Sequence, residues 1–143
     1  MTSRTANMAF AFTDEQAMIL DSAKSFCADK SDIATVRDLI NSDHGFNQQV
    51  WLEMVELGWA GIAIPEQYGG SELGIGSTVA LVESMGRHLL STPFIPTTLA
   101  SQAILRGGSD QHKDQWLPLV AEGSIGTLAL LDNEDWGATT TSC

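Results

Sequence analysis

Basic residues are scarce in this sequence: seven Lys and Arg stand against 18 Asp and Glu, a formal net charge of −11. That balance argues against a nucleic-acid backbone or an anionic membrane surface as partner, because both select for clustered cations. Cysteine is nearly absent, with Cys27 and Cys143 the only two. No CxxC pair and no Cys/His ligand spacing exists, so a disulfide framework and a zinc site are both excluded, and a reducing cytosol is the expected compartment. No apolar run approaches the ~18 residues that a membrane span needs. Residues 1–11 hold a single Arg and no long apolar stretch, and read as a leader without a signal peptide. Catalytic signatures are missing as well. His44, His88 and His112 are far apart, there is no Gly-x-Ser-x-Gly, and no Gly-Lys-Ser/Thr marks a phosphate loop.

What is present is a chain of 143 residues, 43% apolar, long enough for one domain with a sizeable core. Its periodicity is helical. Thr13-Asp14-Glu15-Gln16 combines a cap, a capping-box glutamine and two acids at the positive end of the helix dipole. Ile19, Ala23, Phe26 and Cys27 then follow at helical spacing. Ser31-Asp32 can cap a short second helix whose buried candidates are Ile33, Val36, Leu39 and Ile40. A turn cluster at 41–45 separates it from a helix starting near Asn47, with Val50, Trp51, Met54, Val55 and Leu57 on its apolar face. Another helix carries Val79, Leu81, Val82, Met85 and Leu89 and should stop near Ser91-Thr92-Pro93. Pro96 suits the first turn of the next, which runs over 97–106 and ends at Gly107-Gly108. Ser109 caps the last helix, Pro118 breaks or restarts it, and Glu122-Gly123 closes it.

Two stretches depart from helical periodicity. Leu57-Gly58-Trp59-Ala60-Gly61-Ile62-Ala63-Ile64-Pro65-Glu66-Gln67-Tyr68-Gly69-Gly70 lies between two helices. Gly58 can end the helix before it, Pro65 biases Ile64 away from helical geometry, and Gly69-Gly70 permits a tight reversal. Its glycines do not make a phosphate cradle, since neither a preceding strand nor a lysine supports one; it reads as a buried joint between helices. Residues 125–131 form a short, mostly apolar run bounded by Gly123 and Asp132-Asn133, which reads as a buried strand. The predicted fold is therefore all-α, an orthogonal or up-down bundle of five to six helices, with one short C-terminal strand. Asp132, Glu134 and Asp135 read as a solvated turn rather than a cation site. Trp51, Trp59 and Trp116 read as core.

Three separated motifs occur in one order: Phe12-Thr13-Asp14-Glu15-Gln16; Leu57-Gly58-Trp59 with Ile64-Pro65-Glu66-Gln67-Tyr68-Gly69-Gly70; and Gly107-Gly108-Ser109-Asp110-Gln111-His112-Lys113 running into Trp116-Leu117-Pro118 and Ala121-Glu122-Gly123. Together they resemble the N-terminal helical domain of the acyl-CoA dehydrogenases. Glu83-Ser84-Met85-Gly86-Arg87 with Ser91-Thr92-Pro93-Phe94 resembles atypical bacterial members, some of which act on bulky or sterol-derived CoA thioesters, often as mixed subunits. The resemblance implies a leader at 1–11, a helical domain at 12–123 and the start of a β domain at 124–143. It implies FAD as cofactor, an acyl-CoA as substrate, α,β-desaturation as the reaction, and an oligomer. The family's glutamate base lies in a later helical domain, and no residue here matches it, so no catalytic residue is nominated and the chain alone is expected to be inactive. By position, Ser91, Thr92, Ile95 and Leu99 would line the acyl pocket, with plain helix packing an equal alternative. Leu128, Leu130 and Leu131 fall where flavin contacts are made, but Leu131-Asp132-Asn133 replaces the family's Thr-Glu-Pro, and Leu131 lacks the threonine hydroxyl that would bond the flavin. A second reading is a non-catalytic helical module that docks on a full-length flavoprotein subunit.

Overall fold

The computed structural model describes residues 14–129. They form six α-helices: α1 (Asp14–Lys30), α2 (Ile33–Ile40), α3 (Gln48–Glu56), α4 (Thr78–His88), α5 (Phe94–Gly107) and α6 (Asp110–Ala121). Short 3₁₀ turns at Glu66–Tyr68 and Ile75–Ser77 interrupt the long link between α3 and α4. α1 packs along α4, and α5 along α6, which also meets the Glu66–Tyr68 turn. The α1–α4 contact uses small buried residues four apart on each helix, Ala23 and Cys27 on one and Ala80 and Ser84 on the other. Small side chains let the backbones approach closely. Ser84 Oγ has no hydrogen-bond partner there among the described residues.

The helix starts follow local chemistry. Asp32 caps α2, accepting from the backbone N–H of Ala34 at 2.8 Å and of Thr35 at 3.0 Å. Asn47 caps α3 through Gln49 N–H at 2.8 Å, and Ser109 caps α6 through His112 N–H at 3.3 Å. Ser31 is not a cap: its hydroxyl donates to the His88 carbonyl at 2.8 Å, tying the α1–α2 corner to the end of α4. Thr13 lies outside the described residues.

The joint after α3 is more than a reversal. Gly58, at φ +75°, ends α3 in a Schellman motif, with Gly58 N–H donating to Val55 O at 2.8 Å and Trp59 N–H to Met54 O at 3.0 Å. The chain then folds back on itself: Ser71, Leu73 and Glu72 donate backbone N–H groups to the carbonyls of Gly61, Ile62 and Ile64 at 3.0, 3.0 and 2.9 Å. Gly70 passes so close that a Cβ there would lie 2.0 Å from Ile64 O. Trp59, Ala60 and Ile62 enter a main core with Trp51, Met54, Leu81 and Phe94, while Ile64 enters a second cluster with Leu117 and Val120. The joint thus belongs to both.

Several sequence expectations are corrected. α2 fully buries none of its residues: Val36 and Leu39 are half-buried, while Ile33 is 57% and Ile40 76% exposed, because the described residues cover its apolar side only in part. Leu57 is exposed since the cap turns the chain there, and Trp59 takes the core position instead. Val79, Leu89 and Trp116 are also exposed. α4 ends at His88, before Ser91, because Leu89 takes a left-handed conformation at φ +55°. α5 begins at Phe94, so Pro96 sits at its third residue, still inside the first turn where a missing N–H breaks no helical bond. α6 runs unbroken through Pro118; the carbonyl that the proline leaves without a donor belongs to Asp114, which is exposed. Residues 124–129 carry no regular structure, and no strand occurs among the described residues. No neighbouring strand is present there to supply a ladder, and the segment is held by α5 instead. The remainder of the predicted strand, with Leu130 and Leu131, lies outside the described residues, as do residues 1–11.

Candidate functional site

α5 is divided along its length. Phe94, Thr97 and Ser101 are each about 1% exposed and face the interior. Ile95 and Leu99, four residues apart and so one turn above each other, remain 48% and 52% exposed. The periodicity predicts helical packing for an apolar residue on such a helix, yet these two are not used for packing among the described residues. Ser91 is exposed, and Thr92 is half-buried with its Oγ1 accepting from Phe94 N–H at 3.4 Å. Ser91 and Thr92 thus lie just before α5, and Ile95 and Leu99 stand exposed one turn apart on it.

Thr97 was invisible as a site residue in the sequence, and it organises the neighbouring segment. Its Oγ1 accepts from Gly126 N–H at 3.3 Å and lies 3.3 Å from Gly126 O, to which it can donate. A Cβ at Gly126 would come 3.1 Å from Ala100 Cβ, so the absence of a side chain lets residues 124–129 lie against α5. Leu128 follows two residues later and is 46% exposed. The segment therefore lies against the Thr97–Ala100 side of α5, away from the face that carries Ile95 and Leu99. A buried threonine in a helix rich in apolar residues was the only available signal, and it does not name its partner.

The described residues hold no group of three or more His, Cys, Asp or Glu able to bind a metal. Cys27 is fully buried on α1, and desolvation pushes its thiol up to about 11. A protonated, enclosed thiol is no nucleophile. The Lys30 ammonium bonds Glu53 at 2.9 Å and Asp29 at 3.4 Å; the Glu53 hydrogen bond is the main cause raising its pKa. That pair joins α1 to α3 and is structural. No helix in the described residues is long and apolar enough to cross a membrane.

Flavin fits these residues only in part. Leu128 is an exposed apolar residue, but no cradle for a dinucleotide is built among the described residues.

The described residues define a small all-α domain that buries two clusters and leaves apolar side chains open on α2 and α5. Residues 13–124 match the family model described as "Acyl-CoA dehydrogenase, N-terminal domain". The chain is 31% identical over 145 residues to an acryloyl-CoA reductase (NADH) of Anaerotignum propionicum, covering 97% of this chain and 36% of that protein. It is 33% identical over 119 residues to the acyl-CoA dehydrogenase IpdE2 of Mycobacterium tuberculosis, covering 82% of this chain and 37% of the relative. Its fold superposes on the solved structure "Tcur3481-Tcur3483 steroid ACAD G363A variant" with a TM-score of 0.73 and 32% identity, over 78% of this chain and 30% of the other. The chain belongs to the acyl-CoA dehydrogenase N-terminal domain family. It spans a little over a third of the length of these curated relatives.

Proposed function

We propose that this domain forms one wall of the acyl site of an FAD-dependent acyl-CoA dehydrogenase, with Ile95 and Leu99 against the acyl chain. The observation that supports it is the exposed Ile95–Leu99 pair on a helix whose other face, Phe94, Thr97, Ala100 and Ser101, is buried, in a chain whose family acts on acyl thioesters. Ile95 and Leu99 displace water from the chain, at roughly 25 cal/mol per Å² of apolar surface removed. Ser91 and Thr92 hydroxyls mark the polar end of the wall. FAD, when bound, supplies the hydride acceptor, and Leu128 is assigned to its edge from the resemblance, an assignment that its exposed side chain supports. Leu130 and Leu131 are assigned the same role from the resemblance alone. The glutamate base and the rest of the flavin site come from polypeptide outside these residues, either other domains or a homologous subunit in an oligomer. The cytosol suits a domain whose buried thiol stays unpaired.

Titration calorimetry on the purified chain tests this reading. Octanoyl-CoA should bind measurably, free CoA should not, and Leu99→Asp should remove the difference. Equal binding of the two ligands, or an unaffected Leu99→Asp variant, would count against it. The same chain should not reduce an artificial electron acceptor with octanoyl-CoA and should bind FAD weakly. Turnover would show that the missing base and flavin site are not required from elsewhere.

A further inference from the structure

A groove of about 520 Å³ runs between the first turns of α1 and the joint that follows α3, lined by Met18, Ile19, Ser22, Leu57, Trp59 and Leu73. No charged residue lines it. Its two most open walls are aliphatic: Met18 is 72% and Leu57 54% exposed, although Ile19 and Trp59 beside them pack in the main core. Leu73 is held in place by the joint, its N–H donating to Ile62 O at 3.0 Å. The groove is therefore apolar, built on one side from a hydrogen-bonded loop, and left open by the described residues.

The chain that leads into α1 matches this groove in pattern, reach and charge. Met8-Ala9-Phe10-Ala11-Phe12 lies outside the described residues and alternates a large apolar residue with alanine. In an extended chain such alternation puts Met8, Phe10 and Phe12 on one side. Helix α1 starts at Asp14, so Met18 and Ser22 lie about 6 and about 12 Å along its axis at 1.5 Å per residue. An extended chain turned back at Thr13 covers about 13 Å from Phe12 to Met8, the same length of helix. Phe12 also stands one place before the capping candidate Thr13, the position from which a staple residue packs back on the first turn. Arg4 is the single charged residue ahead of α1, so the segment brings no negative charge to a protein of net charge −11. Glu56 and Glu72, exposed and next in sequence to Leu57 and Leu73, disfavour an anionic ligand. A second copy of this chain would bring its own excess of acids.

We propose that residues 8–12 bind in this groove as an extended intramolecular strap, with Phe12 and Phe10 against Met18, Leu57 and Leu73 and with Met8 toward Ser22. The strap covers the two exposed aliphatic walls and ties the first turns of α1 to the joint. This assignment is independent of the acyl wall on α5, which shares no residue with the groove.

The full 143-residue chain, with labelled Ile, Leu, Val and Met methyl groups, tests this by NMR. Nuclear Overhauser contacts should join the ring protons of Phe10 and Phe12 to the methyls of Met18, Leu57 and Leu73. In a mixture of labelled and unlabelled chains these contacts should arise within one chain. Replacing both rings, Phe10→Ser with Phe12→Ser, should shift those methyls and speed amide exchange over residues 18–22 at least tenfold. The methyls of Leu117 and Val120, in the second cluster, should stay in place and report an intact fold. Absence of ring-to-methyl contacts in the unsubstituted chain would overturn the strap. Contacts found only between chains would overturn it too, and assign the groove to a second copy. Shifts of Leu57 and Leu73 on adding octanoyl-CoA, with no ring contacts, would overturn it in favour of a ligand.

Discussion

Cys27 shows how far burial alone sets a residue's chemistry. The thiol is enclosed between α1 and the main core, and desolvation raises it from 9.0 to about 11. In the unfolded chain the thiol titrates near its ordinary value, so the folded state holds its proton more tightly. Its contribution to stability is full below about pH 9 and is lost as pH rises through about 11, on the order of 2 kcal/mol across that window. Urea unfolding between pH 8 and 11 should show this decline, and Cys27→Ala should reduce it. Iodoacetamide with peptide mapping should leave Cys27 unmodified in the native protein and label it in urea. Rapid native labelling would contradict the burial. From sequence, Cys27 could be placed on an apolar helix face, but its complete enclosure depends on α4 supplying Ala80 and Ser84 opposite.

At the scale of elements, the joint between α3 and α4 was legible as punctuation and not as shape. Gly58 and Pro65 do what their backbone preferences dictate. The return of 71–73 onto 61–64 is a non-local pairing, and periodicity carries no signal for it. Gly70 and Gly74 separate the two kinds of glycine requirement. At Gly70 an added Cβ meets a backbone oxygen that cannot rotate away, so Gly70→Ala is expected to cost at least about 2 kcal/mol. At Gly74 there is open space, and the cost comes from the backbone alone: φ +76° with ψ 164° is a region essentially restricted to glycine, so Gly74→Ala should cost about 1–3 kcal/mol. Denaturant titrations check both; a Gly70→Ala variant as stable as the unsubstituted chain would refute the close approach. α2 taught the opposite lesson. Its pattern predicted burial correctly as amphipathicity and wrongly as packing, because a helix of eight residues states which side is apolar without stating what covers it.

For the whole molecule, what matters is how the two hydrophobic clusters are joined. Trp51 Nε1 donates to Gly123 O at 2.9 Å, and Gln102 Nε2 to Ala63 O at 3.3 Å. Gly123, at φ +105°, ends α6 with a Cβ position 2.9 Å from Val55 Cγ2, so α3 and the end of α6 fit tightly. Trp51→Phe keeps an aromatic ring in the main core but strands the Gly123 carbonyl. It is expected to cost about 2 kcal/mol and to speed amide exchange at the C-terminus of α6. Exchange changes confined to α3 would show that the tryptophan does not link the clusters. The same arrangement aims α5, packed on α6, with its Ile95–Leu99 face outward.

The sequence by itself determined the helices, their capping residues at Asp32, Asn47 and Ser109, the glycine stops, and the family through three ordered motifs. Those are local properties: propensity, side-chain capping and backbone conformational freedom act within a few residues. Only the tertiary structure decided which apolar residues are buried and which are open, because burial depends on the neighbour and not on the pattern. It turned Ile33, Ile40, Leu57 and Leu89 outward, fastened residues 124–129 to Thr97 in place of a strand partner, and left Ile95 and Leu99 exposed on one turn of α5. The wall of the candidate site exists because α5 spends only its other face on the core.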